Sequence, residues 1–354
     1  MGMTALQGVT RKLDLVGYRH RVNRQAVSCQ GINNRGINRQ GVTMEAESSY
    51  EHSAGDLAAA HSELRSRDLR ALARIEHDID RLALHEHVRH LDAWGYTVIK
   101  GALDDHQITA ARRAISRRVE RVYGCSPDLL EAKEEDFPGL SYQPYLLYDD
   151  PVFPEILMLE RPLALVTYLL GESCHLSSIG SHFKGPGGEP LRLHSDNGNG
   201  IPSPFPAYSQ VANVNYALTP YSKEAGALAI VPGSHRLARH PSSREFELHG
   251  EAANPNVRSM DIEPGDAVIW HGNTWHGSFR REIPGIRMNL SVYFARQYVA
   301  PQERQATDDL TALLEAHPNN ARLARLLGAK QPYGWQAEGP DYTKMAQNPS
   351  GQFD

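Results

Sequence analysis

The chain has 354 residues, of which 40% are hydrophobic and 22% charged, and its formal net charge is -5. This composition is typical of a globular protein with one large domain or two ordinary ones, and it excludes fibrous and wholly disordered classes. The acidic balance disfavours a nucleic-acid partner, and no apolar run reaches the roughly 18 residues of a membrane helix. Three cysteines without CxxC spacing indicate a reducing compartment, so we expect a cytoplasmic protein.

The N-terminal segment differs from the rest of the chain in charge and composition. Residues 1–43 carry seven Lys and Arg against a single acid, Asp14, and residues 30–41 are rich in Gly and Asn. Such a segment buries too little apolar surface to offset the entropy lost on ordering. We therefore predict disorder over residues 1–65, and a natural start at Met44 is an alternative.

Residues 66–300 are predicted to form the main domain, which opens with helices. Apolar residues recur at helical intervals, and Gly or Asp stands where a helix ends or begins. The predicted elements are a helix ending before Gly95, a strand over Tyr96–Ile99, a helix capped by Asp104 or Asp105 that ends before Gly124, and a helix over Pro162–Leu170.

From Cys174 onward the pattern changes to short β-type runs separated by Gly and Pro turns. Many short strands with such turns predict an all-β sandwich or barrel, here fronted by helices. The fold class is therefore mainly β with flanking α-helices. Residues 301–354 are predicted to form a helical extension packed on the barrel, with helices over Asp308–Ala316 and Ala321–Leu327.

Two His-x-Asp motifs occur, and their predicted local structure separates them. His90 and Asp92 lie in a predicted helix, where residues two apart point roughly 200° away from each other. His194 and Asp196 end the strand-like run LRLHSD, where residues two apart share a face. Only this second pair can direct both side chains to one metal ion. A structural alternative stays open, in which Asp196 caps the following Asn-Gly turn.

Two histidines and one carboxylate that leave open positions are the ligand set of non-haem Fe(II) oxygenases. The run IEPGDAVIWHGNTWHGSF offers His271 and His276 as the missing ligand. We favour His276 because Arg287 follows eleven residues later, at the start of a β-rich run. A guanidinium there can hold a carboxylate co-substrate through two parallel hydrogen bonds. His271 is left with a hydrogen-bonding role near its strand end.

The region from about residue 95 to residue 299 resembles the phytanoyl-CoA dioxygenase family of Fe(II)- and 2-oxoglutarate-dependent oxygenases. The resemblance rests on the stretches GYTVIKGAL, LHSD, EAGALAIVPGSH and EPGDAVIWHGNTWHGS, together with Arg287. It implies a double-stranded β-helix, or jelly-roll, core of the cupin-like type, and it makes His235 part of a structural turn. The implied site has His194, Asp196 and His276 as Fe(II) ligands, Arg287 on the far carboxylate of 2-oxoglutarate, and Ser278 and Asn215 beside that co-substrate.

The implied reaction uses O2 and 2-oxoglutarate to hydroxylate an unactivated C–H bond of a small organic molecule, releasing succinate and CO2. The substrate can be an acyl compound or a secondary metabolite, and for a CoA thioester Lys184, Arg192 and Lys223 are scattered candidate cations. The sequence does not define the oligomeric state. Two alternatives remain: a cupin-type metalloenzyme without 2-oxoglutarate, which Arg287 disfavours, and a non-catalytic jelly-roll binding protein.

The surroundings of the site can also be predicted. The irregular stretch NGNGIPSPFPAYSQ, residues 197–210, has the composition of a lid over the site. The aromatic residues that we expect near the pocket, with ordinary packing as the alternative, are Tyr142, Tyr145, Tyr148 and Trp335.

Overall fold

The structure is a computed structural model, and it describes residues 70–137, 140–199 and 201–329 with the short strands Trp335–Gln336 and Gly339–Pro340. The predicted disorder of residues 1–65 lies outside these residues, as does most of the tail after residue 329. In the part of the chain that is described, no helix has both the length and the apolarity to cross a membrane.

Most of the described helices lie before residue 175, and most of the strands lie after it, as predicted. Two of the predicted boundaries have clear local causes: Gly95 ends the second helix with φ +80°, and the Asp104 and Gln107 side chains reciprocally cap the third. The helices are α1 (residues 70–81), α2 (His85–Trp94), α3 (Asp105–Tyr123), α4 (Val152–Leu157), α5 (Glu160–Leu170), α6 (Thr307–Ala316) and α7 (Ala321–Leu326).

The strands form two antiparallel sheets and one short separate pair. The large sheet has the order β1-β8-β5-β10-β3-β2, the small sheet has the order β4-β9-β6-β7, and β11 pairs with β12. The strands are β1 (Tyr96–Ile99), β2 (Leu140–Gln143), β3 (His175–Lys184), β4 (Leu191–His194), β5 (Val211–Ala217), β6 (Leu228–Ile230), β7 (Arg258–Ser259), β8 (Ala267–His271), β9 (His276–Ser278), β10 (Asn289–Ala295), β11 (Trp335–Gln336) and β12 (Gly339–Pro340).

The core lies on both faces of the large sheet. On β8, Ile269 belongs to the cluster that includes the buried faces of helices α3 to α5. Its neighbour Trp270 points the other way and packs with Leu228 and Ile230 of the small sheet. Both faces of β8 are therefore buried, which explains why its first four residues, Ala267 to Trp270, are all apolar. Two facing sheets with helices on the outer side are the jelly-roll core and fold class that the sequence predicted.

Some local boundaries differ from the sequence-based expectation. β4 ends at His194, and Asp196 opens a short 3₁₀ helix, Asp196–Asn199, so the two residues do not share one strand. Arg287 precedes β10 by two residues and pairs through its backbone with Lys184. Helices α6 and α7 match the predicted positions within one residue at each end. The assignment of all of residues 301–354 to one extension stays a prediction.

Candidate active site

A cavity of about 280 Å³ lies between the two sheets. Its walls come from β2, β3, β5, β8 and β10 on the large sheet and from β4, β6 and β9 on the small sheet. All six residues that the sequence pointed to line this one cavity: His194, Asp196, Asn215, His276, Ser278 and Arg287.

The two histidines and the carboxylate converge at one end of the cavity. His194 and His276 are paired residues on the neighbouring strands β4 and β9, so both imidazoles lie side by side. The Nε2 atom of His194 is 3.7 Å from Oδ1 of Asp196, and Nε2 of His276 is 3.5 Å from Oδ2. The three potential ligand atoms all lie within 4.8 Å of one another, a spacing that one metal ion can bridge.

Hydrogen bonds on the outer side of each ring set the histidine tautomers. Nδ1 of His194 donates to the Arg192 carbonyl at 2.9 Å, and Nδ1 of His276 donates to the Thr274 carbonyl at 3.0 Å. Each Nε2 therefore keeps its lone pair toward Asp196. Burial lowers the pKa of His276 to about 4, so this ring is neutral at physiological pH. Imidazole nitrogens and a carboxylate are a donor set that fits Fe(II).

A further side chain, that of Asn213, holds the Asp196 carboxylate in place, and the sequence analysis did not identify it. The Asn213 amide donates to Oδ2 of Asp196 at 2.7 Å, and both residues are buried. Asn213 lies two residues before Asn215 on β5, so the two amides share the strand face that lines the cavity. Because alternate residues of a strand share a face, the prediction of Asn215 as a site residue could also have pointed to Asn213.

The other end of the cavity holds Arg287, whose side chain is 3% exposed. Nη1 of Arg287 donates to the Gly226 carbonyl at 3.3 Å, while its buried Nε has no hydrogen-bond partner among the described residues. The guanidinium lies 5.5 Å from the ring of Tyr221, whose hydroxyl donates to Asn215 at 3.2 Å. A buried guanidinium with unused donors fits a carboxylate ligand, and Ser278 on β9 lines the same space.

His235, His271 and the first His-x-Asp motif lie outside the cavity. Nδ1 of His90 donates to the Tyr96 carbonyl, and the Asp92 carboxylate accepts from the Tyr168 hydroxyl. His271 accepts from the Asn273 backbone N–H and contacts His235, and neither histidine lines the cavity. The structure thus brings together the second motif with His276, as the sequence analysis favoured.

Of the aromatic residues expected near the pocket, Tyr142 lines the cavity, with its ring 4.8 Å from that of His182. Tyr145 and Tyr148 do not line it, and the side chain of Trp335 lies outside the described part of the structure. The three cations considered for a CoA thioester do not line the cavity either. Lys184 is wholly buried, Arg192 pairs with Glu247, and Lys223 lies over the Phe279 ring.

A jelly roll that places a His-Asp-His cluster opposite a buried arginine has the architecture of the non-haem iron oxygenases that use an oxo-acid co-substrate. Residues 91–289, more than half of the chain, match the phytanoyl-CoA dioxygenase family. The chain belongs to that family. It is accordingly an Fe(II)- and 2-oxoglutarate-dependent dioxygenase.

Individual relatives are distant. Uncharacterized protein Rv1501 of Mycobacterium tuberculosis is 25% identical over 247 residues, which cover 67% of this chain and 84% of that protein. Dioxygenase af480 of Aspergillus fumigatus is 30% identical over 164 residues, 46% of this chain and 50% of its own. The structure of HygX from Streptomyces hygroscopicus with nickel and 2-oxoglutarate bound aligns with a TM-score of 0.50 and 19% identity. The alignment covers 63% of this chain and 92% of HygX, and it shows a shared fold.

Proposed function

We propose that this protein hydroxylates an unactivated C–H bond of a small organic molecule, with release of succinate and CO2 from 2-oxoglutarate. The observation that carries the proposal is the cavity itself. One cavity between the sheets has the His194, Asp196 and His276 ligand atoms at one end and the Arg287 guanidinium at the other. Neither a cupin-type enzyme without a co-substrate nor a non-catalytic binding protein needs a buried, unpaired guanidinium there.

In this proposal His194, Asp196 and His276 hold the iron, which when bound supplies the O2 activation needed to oxidise a C–H bond. Arg287 binds the distal carboxylate of 2-oxoglutarate by charge-assisted hydrogen bonds and so orients the co-substrate along the cavity. Asn213 holds the Asp196 carboxylate in position through its 2.7 Å hydrogen bond.

The identity of the third ligand favours hydroxylation over halogenation. A halogenating site of this class needs an open position where the carboxylate would be. Asp196 is buried, accepts a hydrogen bond from Asn213 and lies between the two histidines, so that position is filled. Asp196 thus occupies the position that a halide would take in such a site.

A second cavity, of about 500 Å³, also has Asp196 in its wall, and it supports the binding of a small-molecule substrate beside the ligand set. It shares Asp196, Tyr293 and Gln302 with the first cavity, so a molecule held there reaches the ligand set. Asp196 is the one charged residue among its described lining residues, and a CoA diphosphate would meet no cation there. This lining favours a free small molecule over a CoA thioester. A lid role for residues 197–210 stays a prediction.

The test is a comparison of melting temperatures in the absence of O2. With Mn(II) or Fe(II) present, 2-oxoglutarate should raise the melting temperature, because a ligand that binds only the folded protein stabilises it. Succinate release across a panel of acyl-CoAs, free acids and alkaloid-like compounds then identifies the substrate class. Absence of both the thermal shift and any succinate release would overturn the proposal and favour the alternatives.

A further inference from the structure

Three basic side chains are buried together at the Arg287 end of the cavity. The exposed fractions are 0% for Lys184, 6% for Arg281 and 3% for Arg287. Lys184 and Arg287 are held against each other by two backbone hydrogen bonds, of 2.9 and 2.8 Å. Lys184 and Arg281 both lie close enough to Arg287 for its charge to lower their pKa values. Lysine and arginine are almost never fully buried unless they are paired, so this cluster needs an explanation.

None of the three cations is paired with an acidic side chain in the described part of the chain. Nζ of Lys184 donates to the Phe279 carbonyl at 2.6 Å and to the Ser278 hydroxyl at 3.3 Å. Arg281 donates only to backbone carbonyls, and so does Arg287. Carbonyl dipoles offset part of the desolvation cost of a buried charge, but they do not neutralise it.

The burial of Lys184 therefore carries a free-energy cost in the protein without co-substrate. Desolvation and the charge of Arg287 lower the pKa of Lys184 to about 7. An anion placed next to this cluster would remove much of the cost. Such unrelieved charge is typical of residues retained for binding rather than for stability.

Ser278 connects Lys184 to the cavity. The hydroxyl oxygen of Ser278 accepts the hydrogen bond from Lys184, so its own hydrogen remains available to an acceptor. Ser278 lines the cavity together with Arg287, whereas Lys184 does not. The lysine can thus orient the serine hydroxyl toward a carboxylate in the cavity without touching that carboxylate.

We propose that Lys184 is a positioning residue for the distal carboxylate of the co-substrate. It acts by holding Ser278 as a donor and by adding a second buried positive charge beside Arg287. This inference rests on the proposed function, since it assigns the anion as 2-oxoglutarate. It predicts that the site discriminates strongly between a dicarboxylate and a monocarboxylate oxo acid.

The test compares Lys184→Met with the wild-type protein in anaerobic Mn(II) titrations. Affinity for 2-oxoglutarate should fall about tenfold, the size expected for one lost hydrogen bond to a charged system. Affinity for 2-oxobutyrate, which has the same oxo-acid head without the distal carboxylate, should not change. The melting temperature without co-substrate should be equal or higher, because a buried unpaired charge has been replaced by an apolar chain of similar length. Lys223→Met is the matched control, since Lys223 is exposed and lies 5.4 Å from the ring of Phe279.

The outcomes separate this inference from the proposed function. Unchanged 2-oxoglutarate affinity in Lys184→Met, or an equal loss for both oxo acids, would overturn the positioning role and leave the proposed function standing. Failure of the wild-type protein to bind 2-oxoglutarate would instead overturn the proposed function. If Lys184→Met does not fold, Lys184→Gln keeps a donor for the Phe279 carbonyl without the charge. Lys184→Gln should show the same selective loss of 2-oxoglutarate affinity. If it does not, the positioning role of Lys184 is overturned.

Discussion

The Asn213 side-chain amide donates a 2.7 Å hydrogen bond to Oδ2 of Asp196, the same oxygen that lies 3.5 Å from Nε2 of His276. The two residues come from different parts of the fold, since Asn213 lies inside β5 of the large sheet and Asp196 follows β4 of the small sheet. The hydrogen bond therefore ties the carboxylate of an irregular segment to a fully paired strand. It restricts rotation of the carboxylate before a metal ion binds.

Replacing Asn213 with Ala should weaken Mn(II) or Fe(II) binding about 10- to 100-fold, the usual cost of losing a group that orients a metal ligand. The measurement is an anaerobic metal titration in the absence of co-substrate. Asn215→Ala is the matched control, because Asn215 lies on the same face of β5 and bonds to Tyr221 rather than to Asp196. Equal metal affinities for the two variants would show that the hydrogen bond does not position the ligand.

The two His-x-Asp motifs give a second prediction. Asp196→Ala removes the anionic member of the candidate ligand set, so metal binding and 2-oxoglutarate turnover should both be lost. Asp92→Ala removes a carboxylate that accepts from Tyr168 on the outside of the helical layer, so it should leave metal affinity unchanged. Metal titration and succinate release on both variants check this. Similar losses in the two variants would contradict the assignment of the second motif as the metal site.

Local signals predicted much of the fold. Helix α3 was placed correctly at both ends because Asp104 forms a capping box at its start and Gly124 adopts φ +67° after its end. Strand β1 was also correct, since its β-branched and aromatic residues directly follow the glycine that ends α2. Helices α1 and α4 and strand β2 are not among the predicted elements.

The candidate site was predictable in its residue types but not in its geometry. The expectation that His194 and Asp196 share a strand face was wrong, because the strand ends at His194 and Asp196 begins a 3₁₀ helix. What aligns the ligands is the pairing of His194 with His276 across β4 and β9, a register set by the whole sheet. The burial of Lys184 could not be predicted from the sequence either, because a lone lysine at a strand end normally has an exposed side chain.

The third prediction concerns Arg287. Arg287→Ala should weaken 2-oxoglutarate binding about tenfold to a hundredfold, because hydrogen bonds to charged groups contribute roughly 1.5–3 kcal/mol and about 1.4 kcal/mol corresponds to one decade. Arg287→Lys should recover only part of the lost 2-oxoglutarate affinity, since an ammonium keeps the charge but cannot form two parallel hydrogen bonds with a carboxylate. Metal affinity without co-substrate should stay the same. Titration of the anaerobic Fe(II) protein, followed by its metal-to-ligand absorption band, measures the effect; unaltered affinity in Arg287→Ala would favour the cupin alternative.

The last prediction concerns pH and follows from Lys184, whose pKa falls from 10.5 to about 7 in the folded protein. Below pH 7 the lysine is protonated in both the folded and unfolded states, and the full cost of its buried charge is present. Between pH 7 and 10.5 the unfolded chain binds more protons than the folded protein at this residue, so the free energy of unfolding rises with pH. Arg287 is the charged neighbour that contributes to this pKa shift. Burial, followed by the charges of Arg287 and Lys184, lowers the pKa of His182 to about 3, so His182 does not titrate in this pH range.

The stability difference between the wild-type protein and Lys184→Met isolates this effect, because every other titrating group is common to both. Without co-substrate, Lys184→Met should melt higher at pH 6, and the difference should shrink as the pH approaches 10. A change of 1 kcal/mol corresponds to about 2–4 °C for a domain of roughly 150–250 residues, so the trend is measurable by thermal denaturation. Addition of 2-oxoglutarate with Mn(II) should reverse the order at low pH, because the bound carboxylate offsets the charge of Lys184 only in the wild-type protein. A difference that stays constant from pH 6 to pH 10 would mean that Lys184 is not a buried, unpaired cation in the free protein.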